Sequence, residues 1–93
     1  MIVTVDEVKE FLRIDEDETT LITMLIKTAE EYLENATGNT FDETNNLARL
    51  FCMILISDWY ENREFIGKSS EKVRHTVNSM IAQLKYCYGG DSL

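Results

Sequence analysis

Ninety-three residues, 44% apolar and 28% charged, describe one small globular domain rather than a disordered chain. The longest apolar run, Leu50 to Ile56, is far shorter than the roughly 18 residues of a membrane span, and the N-terminus has no basic region that would read as a signal peptide. A net charge of −8 excludes a protein that wraps the DNA backbone, which needs clustered Lys and Arg to displace counterions.

The chain has no proline, where average usage would give about four or five. That absence favours helices, because proline is their strongest breaker. Thr4-Val5-Asp6-Glu7 reads as a capping box, and Val5, Val8 and Leu12 follow at i, i+3 and i+7. A first amphipathic helix is therefore expected over 5–12, its signal stopping near Arg13-Ile14.

The acidic run Asp15-Glu16-Asp17-Glu18 is no EF-hand loop. Thr20 and Ile26 stand where that loop needs Gly and Glu. It reads instead as the start of a second helix, with Asp15 or Asp17 as cap and the other acids at the positive end. That helix is expected over 17–37. Leu21, Ile22, Leu25, Ile26, Ala29, Leu33 and Ala36 form one stripe, and Gly38 follows as the C′ residue. Glu30, Glu31 and Glu34 lie toward its negative end with no base at i+4. They are either a solvated face or a surface that meets bases of another chain.

A third helix is expected over 43–61, opened by Thr40-Phe41-Asp42-Glu43. Its middle, Leu50 to Ile56, is apolar on every side, so it is either a central core helix or partly a subunit contact. Residues 62–69 read as a linker. Ser69 or Ser70 then caps a fourth helix over 70–87, with Val73, Val77, Met80, Ile81, Leu84 and Tyr88 on one stripe. Gly89-Gly90 ends it, leaving 89–93 as a mobile tail. The expected core is Leu25, Ala29, Leu33, Ile54, Val77, Ile81 and Leu84. The fold class is all-α, a small bundle of about four helices in a single domain spanning 1–93.

The residues give no sign of catalysis, and no catalytic, metal-binding or cofactor-binding set emerges. Two cysteines 35 positions apart and a single histidine do not make a zinc site. Cys52 lies in an apolar run, which makes a thiol inert, and both cysteines read as reduced thiols of a cytosolic chain. His75 reads as a surface residue. The four glycines form neither a dinucleotide-binding nor a P-loop motif. Asp58-Trp59-Tyr60-Glu61-Asn62-Arg63-Glu64 concentrates residue types found at interface hot spots, and equally suits a helix terminus packed on the core. Charge is bipolar: residues 1–43 hold 12 acids and 3 bases, residues 44–93 hold 5 acids and 6 bases.

Four segments, taken in order, resemble the small head–tail connector family of long-tailed phages and prophages. They are Val8-Lys9-Glu10-Phe11-Leu12-Arg13-Ile14-Asp15, Leu21 through Gly38, Leu50 through Glu64, and Val77 through Tyr86. The Tyr60-Glu61-Asn62-Arg63-Glu64 run and the Tyr32…Thr37-Gly38 ending carry most of the resemblance. The chain departs from the family pattern in a shorter, proline-free segment before the last helix, and in Lys85 where Arg is usual. The resemblance implies a structural, non-enzymatic protomer of a ring of about a dozen copies, built by head-to-tail contact of unlike surfaces. Such a ring sits under the portal protein after DNA packaging and carries the next connector or the tail. DNA passes through it without sequence-specific binding, and no membrane is involved. The location implied is the head–tail junction of the virion, reached from the bacterial host cytoplasm.

Within that reading the subunit-interface residues are Glu30, Glu31, Glu34, Arg49, Trp59, Tyr60, Arg63 and Arg74. Tyr86, Tyr88 and Leu93 are the candidates for docking on the portal, since tyrosine gives contact area at low entropic cost. Two other functions fit the residues. One is an acidic helical binding module, a DNA mimic or regulator acting on a basic partner protein. The other is a DNA-binding helical module, which the charge disfavours.

Overall fold

Thr4 starts the first helix as its capping box requires. The Glu7 amide donates to Thr4 Oγ1 at 3.1 Å, and the Thr4 amide donates to Glu7 Oε1 at 2.9 Å. In this computed structural model, which describes residues 2–87, the helix α1 runs Val5–Leu12. It stops at Arg13, whose φ of 57° is left-handed although the residue is not glycine. Ile2 and Val3, which carry no helical period, are buried ahead of it. Val3 and Val8 occupy the two positions of a hydrophobic staple around the Thr4 cap, and both belong to the core.

The second helix, α2, runs Thr19–Thr37, two residues later than the sequence suggests. Glu18 is its cap residue and makes no side-chain cap bond. Asp17 acts from one position earlier, its Oδ1 accepting from the Thr19 amide at 3.3 Å and the Thr19 hydroxyl at 2.8 Å. Gly38, at φ 78°, closes the helix and donates to Glu34 O at 2.7 Å.

The third helix, α3, runs Asn46–Glu61, so the expected start at 43 is corrected by three residues. Asp42 is used up in a local turn, accepting from the Thr44 amide at 2.9 Å, and Asn45 supplies the true cap to the Ala48 amide at 3.0 Å. After α3 the chain makes a 3-10 turn, Arg63–Phe65, within the stretch expected to be irregular. The last helix, α4, runs Glu71–Cys87. Among the described residues there are four α-helices and no strand, which is the all-α bundle that the periodicities imply.

The four helices and the N-terminal residues share one buried cluster. α3 lies at its centre, packed by α1, α2, α4 and the 3-10 turn. Phe51, Cys52, Leu55, Ile56 and Trp59 are buried on it, and Tyr32 of α2 sets its ring 6.1 Å from Phe51 and 6.3 Å from Trp59. Leu25, Ala29, Leu33, Val77 and Leu84 are buried as expected, while Ile54 and Ile81 are half-buried at its edge. The radius of gyration, 12.8 Å, is close to the roughly 12 Å of a compact chain of this length. The protomer therefore closes its core without a neighbour.

Candidate interaction surfaces

Helix α2 turns Glu31 and Glu34 outward, both exposed near its C-terminus. Glu30 differs from them. Its Oε2 accepts from the Ile2 amide at 2.7 Å, a part-buried bond that fastens the N-terminal residues to α2. One of the three acids thus has a partner within the chain, 28 residues away and invisible to any local pattern.

The basic candidates divide in the same way. Arg49 is half-buried and pairs with Glu7, which ties α3 to α1. The Glu7 carboxyl is held below the usual carboxylate range, first by the Thr4 amide and then by Arg49. Arg63 reaches Glu18 at 3.7 Å and lies 5.5 Å from the Tyr60 ring, while the Tyr60 hydroxyl donates to Glu18. That hydrogen bond, with burial, pushes the Tyr60 phenol above its ordinary range. Arg74 is exposed on α4, as are Lys72 and His75.

Trp59 is fully enclosed, and its Nε1 donates to Lys68 O at 2.6 Å. It holds the 3-10 turn against the core and presents no surface to another chain. Tyr86 falls in the last turn of α4, whereas Tyr88, Leu93 and the expected tail over 89–93 lie outside the described residues.

Asp58, which opens the run through Glu64, is placed in a way that no local pattern announces. It is only 5% exposed, although it is charged. Its Oδ1 accepts from the Ser70 hydroxyl at 3.1 Å, joining α3 to the residue before α4. Its Oδ2 is buried and makes no hydrogen bond. Asp58 lines two adjoining clefts. One, of about 180 Å³, has Phe11, Ile54 and Val73 as apolar walls, with Glu61 and Lys72. The other adds Asn62, Phe65, Ser70 and Glu71. Phe11 stands 54% exposed at this flank, and Leu50 and Met24 are the other large apolar side chains that face outward among the described residues.

No group of three or more His, Cys, Asp or Glu side chains among the described residues is placed to hold a metal ion. Burial, aided by Glu30, pushes the Cys52 thiol up to about 12, which makes it a poor nucleophile. No described helix is long and apolar enough to cross a membrane. Among the described residues, polar side chains cap helices, tie helices together and cover exposed flanks.

Comparison with known proteins agrees with that character. The sequence model of the family described as Phage gp6-like head-tail connector protein matches residues 2–88. No curated protein and no solved structure matches the chain significantly.

Proposed function

The chain belongs to the phage gp6-like head-tail connector family, and from that membership we propose that it assembles as a ring beneath the portal after DNA packaging, linking head to tail. The family match over residues 2–88 is the observation that carries this reading. A connector is a structural part of the virion and works by contact rather than by chemistry. The partners proposed are further copies of the chain, the portal protein, and the next connector or tail-completion protein. DNA passes through the ring unread. Nothing in the match supports an acidic regulator acting on a basic partner.

The copies join head to tail through unlike surfaces. Glu31 and Glu34 of one copy face exposed bases of the next, Arg63 and Arg74 among them. Three features support this: the bipolar charge, the exposure of these acids and bases, and a core already closed within one protomer. Tyr86, Tyr88 and Leu93 are proposed to grip the portal.

The test is sedimentation across a concentration series at two ionic strengths. Assembly should weaken with salt, because exposed pairs are screened over about 8–10 Å at moderate ionic strength. Glu31→Lys with Glu34→Lys should lower the association constant while keeping the fold, since bases near a helix C-terminus suit its dipole. Unchanged assembly in that double variant returns these acids to a solvated face. Deletion from Gly89 onward should abolish co-sedimentation with portal-bearing heads; full binding moves the portal contact to the helices.

A further inference from the structure

We infer that the cleft between α1 and α4 receives the Met24 side chain of a neighbouring copy, with Glu31 of that copy reaching Lys72 on the cleft's rim. The inference rests on the assembly of copies proposed above and names one of its contacts.

The first ground is an opening in the packing. α1 and α4 both pack on α3 but not on each other, and the cleft of about 180 Å³ is the gap they leave. Ile54 of α3 is its floor, with Phe11 of α1 and Val73 of α4 as walls. Phe11 is 54% exposed, Ile54 and Val73 are half-buried, and Glu61 and Lys72 on the rim are exposed. This apolar surface is within reach of another molecule.

The second ground selects the occupant. Three large apolar side chains are exposed among the described residues: Phe11, Met24 and Leu50. Phe11 is part of the cleft. Leu50 precedes Ile54 by four residues on α3, so it faces the cleft's side of the molecule. Met24 is carried elsewhere. It lies about 180° around α2 from the buried Leu33, so it points out from the core. Ile54 lies about 140° around α3 from Trp59, against which Tyr32 of α2 packs. The cleft therefore opens on a side of α3 that α2 does not cover, and Met24 of the same protomer points away from α3. A knob and a hole on different faces of one chain are the elements of a head-to-tail contact. Methionine suits this hole, because its unbranched thioether fills irregular gaps and makes favourable contact with an aromatic ring, here Phe11.

The third ground is charge. Glu31 follows Met24 by seven residues, as Glu61 follows Ile54, and two helical turns make each span about 10.5 Å along one face. Lys72 lines this cleft with Glu61 and the adjoining one with Asn62, which sets it near the C-terminal end of α3. When α2 of one copy lies parallel along α3 of the next, Met24 over Ile54 brings Glu31 to Lys72. Lys27, on the same exposed face, then stands on the Glu61 side of Met24. Lys27, Glu31, Glu61 and Lys72 form no ion pair among the described residues, so all four are available to a neighbour. Lys72 thereby joins Arg63 and Arg74 as a base for the acids of α2.

The experiment uses the full chain and four variants: Met24→Gln, Phe11→Ser, Glu31→Lys, and Glu31→Lys with Lys72→Glu. Association is measured by sedimentation at one ionic strength, and thermal midpoints are measured on dilute protein. Met24 and Phe11 are surface positions, and Gln keeps the helix propensity of Met, so both variants should melt with wild type. Each should lower the association constant by about tenfold or more, as withdrawal of an apolar side chain from a buried contact does. A mixture of the two keeps one intact contact, Met24 of the Phe11→Ser chain in the cleft of the Met24→Gln chain. It should form mixed dimers, and nothing larger, where each variant alone is monomeric. Glu31→Lys should weaken association, and adding Lys72→Glu should recover most of it. Should either apolar variant melt lower, the charge swap decides alone, and no recovery there overturns the inference. Wild-type association in Met24→Gln or Phe11→Ser also overturns it and leaves the assembly reading standing. If such variants assemble normally but no longer co-sediment with portal-bearing heads, the cleft serves a different protein and the inference falls. A wild type that stays monomeric at every concentration overturns both.

Discussion

Helices α3 and α4 are similar in length and opposite in use. On α3, Ala48, Phe51, Cys52, Leu55, Ile56, Asp58 and Trp59 are buried, and of its large apolar side chains only Leu50 is exposed. On α4, burial among the described side chains is confined to the stripe of Val77, Met80 and Leu84, while Glu71, Lys72, Arg74, His75 and Lys85 are outside. An all-round apolar helix suits a subunit contact as well as a core, and here the protomer spends it on its own interior. In the proposed assembly, contacts with other copies are then left to charged flanks, where salt and single charges matter more than area.

The sharpest way to break this comparison is to empty the centre. Trp59→Ala removes a fully buried ring and the bond to Lys68 O, and should cost about 3–5 kcal/mol in urea unfolding. Leu33→Ala and Leu84→Ala should each cost about 2–5 kcal/mol, with Leu84 at the lower end because α4 can fray there. Equal and small losses at Trp59 and Leu84 would mean that α3 is no more central than α4.

Cys52 sharpens the same contrast through pH. Its thiol is pushed from an ordinary value of 9.0 up to about 12 in the folded protein. The unfolded chain therefore releases this proton first. The stabilisation is complete below pH 9 and is lost as pH rises toward 12. Wild type should lose stability across that window more steeply than Cys52→Ala, by up to roughly 1.4 kcal/mol per pH unit. Parallel curves for the two proteins would place the thiol in contact with water.

Thr4→Ala tests the edge of the molecule, where the chain enters α1. Loss of the cap should cost about 0.5–2 kcal/mol. The Glu7 carboxyl should nevertheless stay below its ordinary 4.5, because the backbone amide at position 4, the largest cause of its depression, and Arg49 both survive the substitution. Proton titration by NMR checks this directly. A Glu7 that moves back up would show that the amide keeps its place only while the Thr4 hydroxyl holds the cap.

These residues also show how far a sequence can be read. Stripes such as Leu25, Ala29 and Leu33, and the Thr4-to-Glu7 box, are local, and the helices and their faces follow from them. Helix starts were misplaced where several capping residues compete: Asp42 lost to Asn45, and Glu18 took a cap position while its carboxylate served Tyr60 and Arg63. Exposure of Glu31, Glu34 and Arg74 follows from the helical wheel. The burial of Trp59 and Asp58 does not, because it depends on Lys68 and Ser70, which return only after the 3-10 turn. Glu30 and Ile2 are joined across 28 positions by a backbone amide, which has no signature in side-chain pattern.

The smallest expected effect lies at the exposed apolar residues. Phe11 and Leu50 are 54% and 50% exposed on α1 and α3. Ser at either site removes little that the folded protomer encloses, so stability should stay within about 0.5 kcal/mol of wild type. The two differ in what surrounds them. Phe11 walls the Asp58 cleft with Ile54 and Val73, so Phe11→Ser should weaken the proposed assembly of the copies by taking an exposed apolar side chain from that flank. Leu50, on the other helix and outside that cleft, should leave assembly as it was. Sedimentation of the two variants side by side separates a contact at the cleft from a general loss of apolar surface. Equal weakening by both would point to a broad apolar interface and move the weight of assembly from the charged flank of α4 back to α3.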